Sequence, residues 1–270
     1  ILVALLFFLV IPGIGAFGVR SRWRLFRSRL VETSLLPPVT YSMLHKEAGP
    51  AAMTRFMGTL ESIQGDRFAW LRGERLTVAA DMTRSDLFLM PGAEAEPEET
   101  PPIRSSWSRL GSLPEGMKIL VSGELDTSGV HPVLRASDER PLFAVFYDGP
   151  EKTLVRRSIW SGRQRNEYWN SITPGALAGG TLALMVVAYF LLRQPQFVGY
   201  ARLALTLAAT PILPLIPPGV GFFYLYRLTW RRGRRSRAHR DVLRLPLRYL
   251  HGEEPCTQLS NGEPYCESVV

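Results

Sequence analysis

Three stretches of this chain carry no charge, and they limit what it can become. They are "ILVALLFFLVIPGIGAFGV" (Ile1–Val19), "GALAGGTLALMVVAYFLL" (Gly175–Leu192) and "LALTLAATPILPLIPPGVGFFYLY" (Leu203–Tyr226). Each runs about 18 residues or longer, enough to cross a hydrocarbon core as a helix. The near-zero mean hydropathy of +0.02 is therefore an average over apolar spans and a polar middle. The expected fold is a membrane α-helical part of about three transmembrane helices plus a small all-β, barrel- or sandwich-like, soluble domain, a mixed α+β plan.

The net charge of +8 is an arginine effect, since Lys46, Lys118 and Lys152 are the only lysines. Arg20, Arg22, Arg24, Arg27 and Arg29 follow the first apolar run. Arg227, Arg231, Arg232, Arg234, Arg235, Arg237 and Arg240 follow the third. Arginines beside span ends are the positive-inside pattern, so both clusters read first as topology determinants. As a second role, each arginine near an anionic leaflet contributes about 1 kcal/mol of attraction. A nucleic-acid grip ranks last, because the tail offers phosphate contacts but little base readout beyond Trp230. The expected partners are the lipid bilayer, anionic lipid headgroups and a protein partner of unstated identity, with nucleic acid not expected.

Sidedness follows from the same charges. The first run reads as an anchor rather than a cleaved signal, because "GIGAFGVR" offers no A-x-A site and its positives follow the apolar core. With the N-terminus outside, both arginine clusters and "RRSIWSGRQR" fall on one side, the cytoplasmic face of a bacterial inner membrane. The organisation expected is a first span over 1–19, a basic juxtamembrane connector over 20–52, and a β domain over 53–160. A juxtamembrane segment at 161–174, a second span at 175–192 and a third at 203–226 follow. An arginine-rich tail at 227–250 and a flexible polar C-terminus at 251–270 complete the chain.

The third span is expected to be broken. Pro211, Pro214, Pro217 and Pro218 each remove a helix hydrogen bond, which puts a break near Pro217–Gly219. Broken helices at membrane depth need protein or water to satisfy the freed backbone, and transporters build sites from them. No intramembrane Asp, Glu, Lys or His accompanies these prolines, so a kinked helix or shallow hairpin is the simpler expectation. Gly175 and Gly179 form a G-x-x-x-G pair that permits close helix contact. Tyr168, Trp169 and Tyr189 read as interface anchors, and Thr173-Pro174 as a helix start.

Between the first two spans, "FMGTLESI", "RFAWLR", "RLTVAADM", "DLFLM", "KILVSGEL", "HPVLRAS", "LFAVFYDG" and "TLVRRSIW" are short runs rich in β-branched and aromatic residues, bounded by turn residues. They predict strands of a small barrel or sandwich. "GTLESIQGDRFAWLRGER" and "GELDTSGVHPVLRASDER" echo one another: Gly, Leu and an acid, Gly, Leu-Arg, then Glu-Arg. A duplicated β unit and two merely similar hairpins explain that equally well. "PGAEAEPEETPP" within the segment 91–102 reads as an acidic solvent loop.

The stretch "SGELDTSGVHPVLRASDERPLFAVFYD" resembles, in its strand–turn–strand rhythm, the domain between the two spans of the GIDE-type membrane ubiquitin ligases. The resemblance covers about thirty residues and lacks the C-terminal RING cysteines. It implies a β module set between membrane helices, and carries over no residue and no activity.

No catalytic constellation stands out. Neither usual phosphate-loop spacing nor H-E-x-x-H occurs. "LDTSGV" departs from the Asp-Thr-Gly of aspartic proteases by the inserted Ser128, and reads as a turn. His251, Cys256 and Cys266 are spaced too loosely for a typical structural zinc site, so no metal or other cofactor is expected. "RQRNEYW" (Arg163–Trp169) reads as a juxtamembrane helix with anchors ahead of a headgroup or partner contact. The function expected is a non-enzymatic integral membrane protein presenting a β module for partner binding or scaffolding. A transport or sensing component using the broken third span is the alternative, and an enzyme with an unfamiliar site the third.

Overall fold

The computed structural model describes residues 1–44, 52–74, 76–92, 100–109, 114, 116–129, 131–215, 219–243 and 245, together with the backbone pairing of 257–258 with 264–265. It divides into two compact units, one of Ile1–Leu25 with Gln164–Ser236, the other of Phe26–Arg163 with Arg237–Val270.

The second unit is built on strands, preceded by the short helix α3 (Tyr41–Leu44). The strands are β1 (Ala52–Gln64), β2 (Phe68–Arg72), β3 (Thr77–Asp81), β4 (Ser85–Leu89), β5 (Ile103–Ser105), β6 (Lys118–Asp126), β7 (Val133–Arg135) and β8 (Leu142–Tyr147). They lie in the order β1-β2-β3-β7-β6-β8-β4-β5, and β1 also pairs with β6. That extra pairing closes β1, β2, β3, β7 and β6 into a five-stranded barrel. All its pairings are antiparallel except β3 with β7. Of the two β architectures the sequence allows, the barrel is the one formed. At 13 residues, β1 is long enough to serve two partners: β6 over Ala52–Thr59 and β2 over Thr59–Gln64, with a register shift between Leu60 and Ser62. Such an irregularity lets a strand bend round a barrel corner.

The barrel interior follows from the period of two along each strand. Phe56 and Leu60 of β1, Leu71 of β2, Val78 of β3, Ile119 and Val121 of β6 and Leu134 of β7 fill one buried core. On its other edge β6 forks, pairing with β8 over Lys118–Ser122 and with β7 over Glu124–Asp126. Gly123 sits at the fork, where a Cβ would lie 2.5 Å from the Arg135 carbonyl oxygen and 2.7 Å from Leu142 Cδ1. A side chain there would have to force backbone apart.

β8 carries "LFAVFY" with every residue buried, as expected of a strand covered on both faces. Leu142, Ala144 and Phe146 belong to the barrel core. Phe143, Val145 and Tyr147 belong to a second core with Phe26, Leu30, Phe88, Leu120, Leu154, Val155, Ile159 and Leu245. Phe26 packs its ring 4.7 Å from Phe88 and 6.1 Å from Phe143, within the range where aromatic pairs attract.

One strand expectation is corrected here. "TLVRRSIW" is a helix, α4 (Glu151–Trp160), not a strand. Its apolar residues follow helical spacing, with Leu154, Val155, Ser158 and Ile159 buried, and Pro150 stands at its N-cap. The segment after the first apolar run begins as a helix. Helix α2 (Ile11–Leu35) continues through the arginines, and its Phe26 and Leu30, four apart, enter the second core.

The internal echo has a geometric counterpart. Leu60 pairs with Leu71 across β1–β2, and Leu125 with Leu134 across β6–β7. Thr59 opposes Arg72 as Glu124 opposes Arg135. Glu61 meets Arg72 at 3.8 Å and Asp126 meets Arg135 at 2.7 Å. The two hairpins pair about a local two-fold: Phe56 opposes Val121, each two residues before its own glycine, while Gly58 opposes Ile119 and Gly123 opposes Thr54.

The first unit is helical. Residues Leu2–Leu35 run as one helix, composed of α1 (Leu2–Leu5), a π-helical turn (Leu6–Val10) and α2, whose first part lies in this unit. Helices α5 (Thr173–Leu192), α6 (Val198–Ala208) and the larger part of α7 (Gly219–Val242) complete it. The contact seam on α5 is Ala176, Gly180, Leu184 and Ala188, each four residues from the last. Ala201, Ala204 and Ala208 are buried on α6. Close approach uses Gly180, where a Cβ would lie 2.5 Å from Phe7 Cβ, whereas nothing lies within 4 Å at Gly175 of the G-x-x-x-G pair. The Thr181 hydroxyl donates to the Ala208 carbonyl at 3.3 Å, so α6 ends beside the middle of α5.

The third apolar stretch is interrupted, as its prolines led one to expect, so of the three or so spans expected it does not form a long continuous one. Helix α6 stops at Ala208 after 11 residues, Thr210–Leu215 forms 3₁₀ turns around Pro211 and Pro214, and α7 begins at Gly219. Pro217 and Pro218 lie outside the described residues. Among the described residues, two helices are long and apolar enough to cross a membrane, Leu2–Leu35 and Thr173–Leu192.

Two measurements test this account of the β module. Gly123→Ala adds the methyl that the fork excludes, and should lower the thermal midpoint of the full chain by the equivalent of about 1–3 kcal/mol. Gly13→Ala, with nothing within 4 Å, should not lower it. The second concerns Asp81, which accepts from Arg67 Nε at 3.0 Å and Nη2 at 2.7 Å, and from the Thr83 amide at 3.1 Å and hydroxyl at 2.7 Å. Burial pushes its carboxyl upward, but the Arg67 and Thr83 hydrogen bonds outweigh burial and hold it below the usual carboxylate range. A depressed folded value stabilises the fold above the unfolded carboxylate range, and that contribution disappears as pH falls through the folded value. Asp81→Asn should therefore lower the thermal midpoint at neutral pH and flatten its fall in acid. An unchanged acid limb in the variant would contradict the assignment.

Candidate functional site

The arginine clusters are the candidate site, and the structure divides them by what each guanidinium touches. In the second unit, Arg27 donates to the Ser161 carbonyl at 3.1 Å. Arg29 reaches the Pro141 carbonyl at 3.4 Å and Asp86 at 4.0 Å. These two tie helix α2 to the β module. Asp86 is buried and also accepts from Arg104 at 2.5 Å, so the pair of arginines neutralises a carboxylate held away from water. Arg20, Arg22 and Arg24, one to two turns earlier, are exposed.

Helix α7 shows the same division. Arg234 is buried, paired with Glu167 and stacked over Trp230 at 4.8 Å. Arg240 meets Asp241 at 3.6 Å, and Asp241 also accepts from the buried Arg163. Arg227, Arg232, Arg235 and Arg237 are exposed, and Arg231 is half-buried. Tyr224, Arg227, Leu228, Arg231, Arg232 and Arg235 line a groove of about 380 Å³ along one helix face. The spacing explains this: residues four and three to four apart share a face of an α-helix.

"RQRNEYW" is not a helix but a run of turns, and its side chains make internal contacts. Arg163 holds Asp241, and Glu167 holds Arg234. The Tyr168 hydroxyl donates to the Phe8 carbonyl, and Asn170 Nδ2 donates to the Pro12 carbonyl at 3.1 Å. Pro12 has no N–H to offer the carbonyl four residues back, which is that of Phe8. Tyr168 thus supplies the donor that the proline withholds. Sequence reasoning saw Tyr168 as an interface anchor; the missing signal was the offset of four between Phe8 and Pro12. Trp169 and Tyr189 are 59% and 54% exposed, and Tyr189 is stacked by Arg193 at 4.6 Å.

The apolar surface around these helices is large. Phe17 is 75% exposed, Leu182 65% and Phe222 71%. Only 11% of the apolar window of Leu2–Leu35 and 22% of that of Thr173–Leu192 are buried. A core helix of a water-soluble protein would bury most of such a window.

On the β module, a groove of about 760 Å³ runs beside β1, lined by residues that include Tyr41, Arg55, Phe56, Gly58 and Arg72. Its volume falls in the usual range for ligand pockets, about 300–1,000 Å³. Arg55 is buried and donates from Nε to the Leu36 carbonyl at 3.0 Å. The Asp126 carboxylate of "LDTSGV" accepts from the Ser128 amide at 2.9 Å and hydroxyl at 2.6 Å, a turn as expected. His251, Cys256, Cys266 and most of the acidic loop lie outside the described residues. Among the described residues, no group of three or more His, Cys, Asp or Glu is placed to hold a metal.

A scan against models of known protein families finds no match. A search of curated proteins likewise finds none.

The Tyr168 contact is testable by removing one oxygen. Tyr168→Phe leaves the Phe8 carbonyl without that donor, and should cost about 1–3 kcal/mol, read as a lower thermal midpoint of the full chain in detergent. Trp169→Phe at the exposed neighbour should leave the midpoint within error.

Proposed function

We propose that this chain is an integral membrane protein that holds a five-stranded barrel at the membrane surface, where a protein partner or scaffold binds it without catalysis. The observation that carries the reading is the outward-facing apolar surface of Leu2–Leu35 and Thr173–Leu192, so little of which is buried by protein. Patches of that size on water-soluble monomers are rare.

The return of the chain supports the same reading. The last described helical turns belong to the β module's unit: Leu245 lies in its second core, and Asp241 pairs with Arg163. Residues 163 and 241 therefore belong on one side of the bilayer. Helix α5, about 30 Å long by its 20 residues, leads across. The return is made in two halves, α6 of about 16 Å and the apolar start of α7, joined by the proline-bearing segment. The third crossing is thus a broken span rather than a long helix. Both arginine clusters run on into the barrel's unit, at Arg27 and Arg29 and at Arg237 and Arg240, and the positive-inside rule assigns such clusters to the cytoplasmic side, as at a bacterial inner membrane.

For the barrel, the strand order with its single parallel pairing matches the five-stranded Greek-key barrel of the OB type, whose open face and loops bind ligands. Fold alone does not set function, so the partner-binding role rests on the groove beside β1.

Two measurements decide. The full chain should stay in the membrane pellet after alkaline carbonate washing. Reporters fused after Thr100 and Ser260 should be active on the same side, and one after Pro195 on the other. Opposite sides for Thr100 and Ser260 would exclude the broken third crossing.

A further inference from the structure

We infer that a gap in the edge of β1 at Met57 takes an extended segment of a partner protein, which pairs its backbone with Met57 and sets a lysine or arginine beside Glu74 and Glu151. The inference rests on the reading that a protein partner binds the groove beside β1, and goes beyond it by stating the partner's conformation and charge.

The first observation is the backbone pattern of β1. Alternate residues of a strand send their N–H and C=O groups to opposite edges. The Leu60 amide donates to the Met117 carbonyl at 2.8 Å, and the Gly116 amide donates to the Leu60 carbonyl at 2.8 Å, so Leu60 faces the segment leading into β6. Even-numbered residues of this stretch therefore face β6, and odd-numbered ones face the other edge. Arg55 agrees: its amide donates to the Pro37 carbonyl and its carbonyl accepts from the Val39 amide, both at 2.9 Å. Thr59 is met on that edge by Arg72 of β2. Met57 lies between the two, and among the described residues no backbone group bonds to its N–H and C=O there. Continued by two residues, the register would set Glu74 opposite Met57, but the chain turns first, with the Gly73 amide donating to the Leu76 carbonyl at 2.9 Å. From the other end, the chain leaves the edge after Val39 and enters α3.

The second observation is room. The groove of about 760 Å³ opens at this gap, between Val39 and Thr40 and the turn at Gly73 and Leu76. An open N–H and C=O on a strand edge is a template for another strand. The gap is one residue wide, which selects an antiparallel guest. One antiparallel residue exchanges both bonds by itself, whereas a parallel guest needs the residues on either side, as Pro37 and Val39 do at Arg55. The third observation is charge. Met57 packs against the second core, which contains Leu154 and Val155 of α4. A residue paired with Met57 directs its side chain to that same face. Glu151, in the first turn of α4, lines the groove, as does Glu74. Both are exposed, and neither forms an ion pair among the described residues. The arginines of the groove are engaged, Arg55 with the Leu36 carbonyl at 3.0 Å and Arg72 with Glu61 at 3.8 Å. A basic residue opposite Met57 therefore completes the site.

The test uses the purified full chain in mild detergent and end-blocked peptides of alternating valine and threonine that differ only in a central lysine, norleucine or glutamate. The lysine peptide should bind at least about tenfold more tightly than the glutamate peptide. Glu74→Gln with Glu151→Gln should still bind the norleucine peptide and lose the preference for lysine over it. Methylating the central backbone nitrogen of the lysine peptide should weaken binding at least about tenfold. Hydrogen exchange reads the pairing directly. The Met57 amide should exchange readily in the free chain and slow when the lysine peptide binds, while the Phe56 amide, turned to β6, should be slow in both. A Met57 amide that is already slow in the free chain overturns the gap. Lysine and norleucine peptides that both fail to bind overturn the inference, and a lysine preference that survives in the double variant overturns the basic residue. A methylated peptide that binds undiminished, yet loses affinity in the double variant, defeats the strand pairing alone and leaves the groove as a docking surface. Carbonate washing tests the membrane reading independently of all these outcomes.

Discussion

The β module depends on one strand serving three neighbours. β6 gives one edge to β1 and divides the other between β8 and β7. The division requires neighbouring backbones to come closer than a side chain allows, and Gly123 is the residue that permits it. On one side of the fork the strands close into a barrel, and on the other β8 and β4 extend a sheet that helices cover. Because β8 belongs to both, its six buried residues join two cores into one body. The arginine ties at Arg27 and Arg29 then fasten a helix whose hydrophobic grip is already provided by Phe26 and Leu30.

In the helical unit the governing constraint is different. Its two long apolar helices bury little of their apolar windows, and the contacts they do make use small residues and polar groups with nowhere else to go. The Gly180 and Ala176 seam illustrates the first, and the Tyr168 hydroxyl on the Phe8 carbonyl the second. Buried arginines follow the same economy: Arg163 and Arg234 each meet a carboxylate, since an unpaired charge away from water is costly.

Much of this was legible from residue pattern. Alternation and turn residues located seven of the eight proposed strand runs, because strands facing a core on one side write their register into the sequence. The run over 153–160 misled because "TLVRRSIW" is short and β-branched, and only the four-residue spacing of Leu154, Ser158 and of Val155, Ile159 marks it as helical. β5 was missed because three residues, none of them buried, carry no pattern to read. Pairing between distant segments was not legible at all. Nothing in a list of arginines says that Arg27 will reach Ser161 while Arg232 stays exposed, since that depends on which helix faces which strand. The repeat was visible as letters, but its two-fold sense required the register of β1 against β6.

The second core has a consequence for synthesis. It gathers Phe26 and Leu30 from near the start of the chain, β8 and α4 from its middle, and Leu245 from beyond the last apolar stretch. A ribosome delivers these in order, with the apolar segments in between. The barrel's own strands are complete once β7 has emerged, but the outer layer lacks a piece until the apolar segments have left the exit tunnel. Closure of that layer is therefore a late event, and a chain arrested before Leu245 would leave its apolar face open.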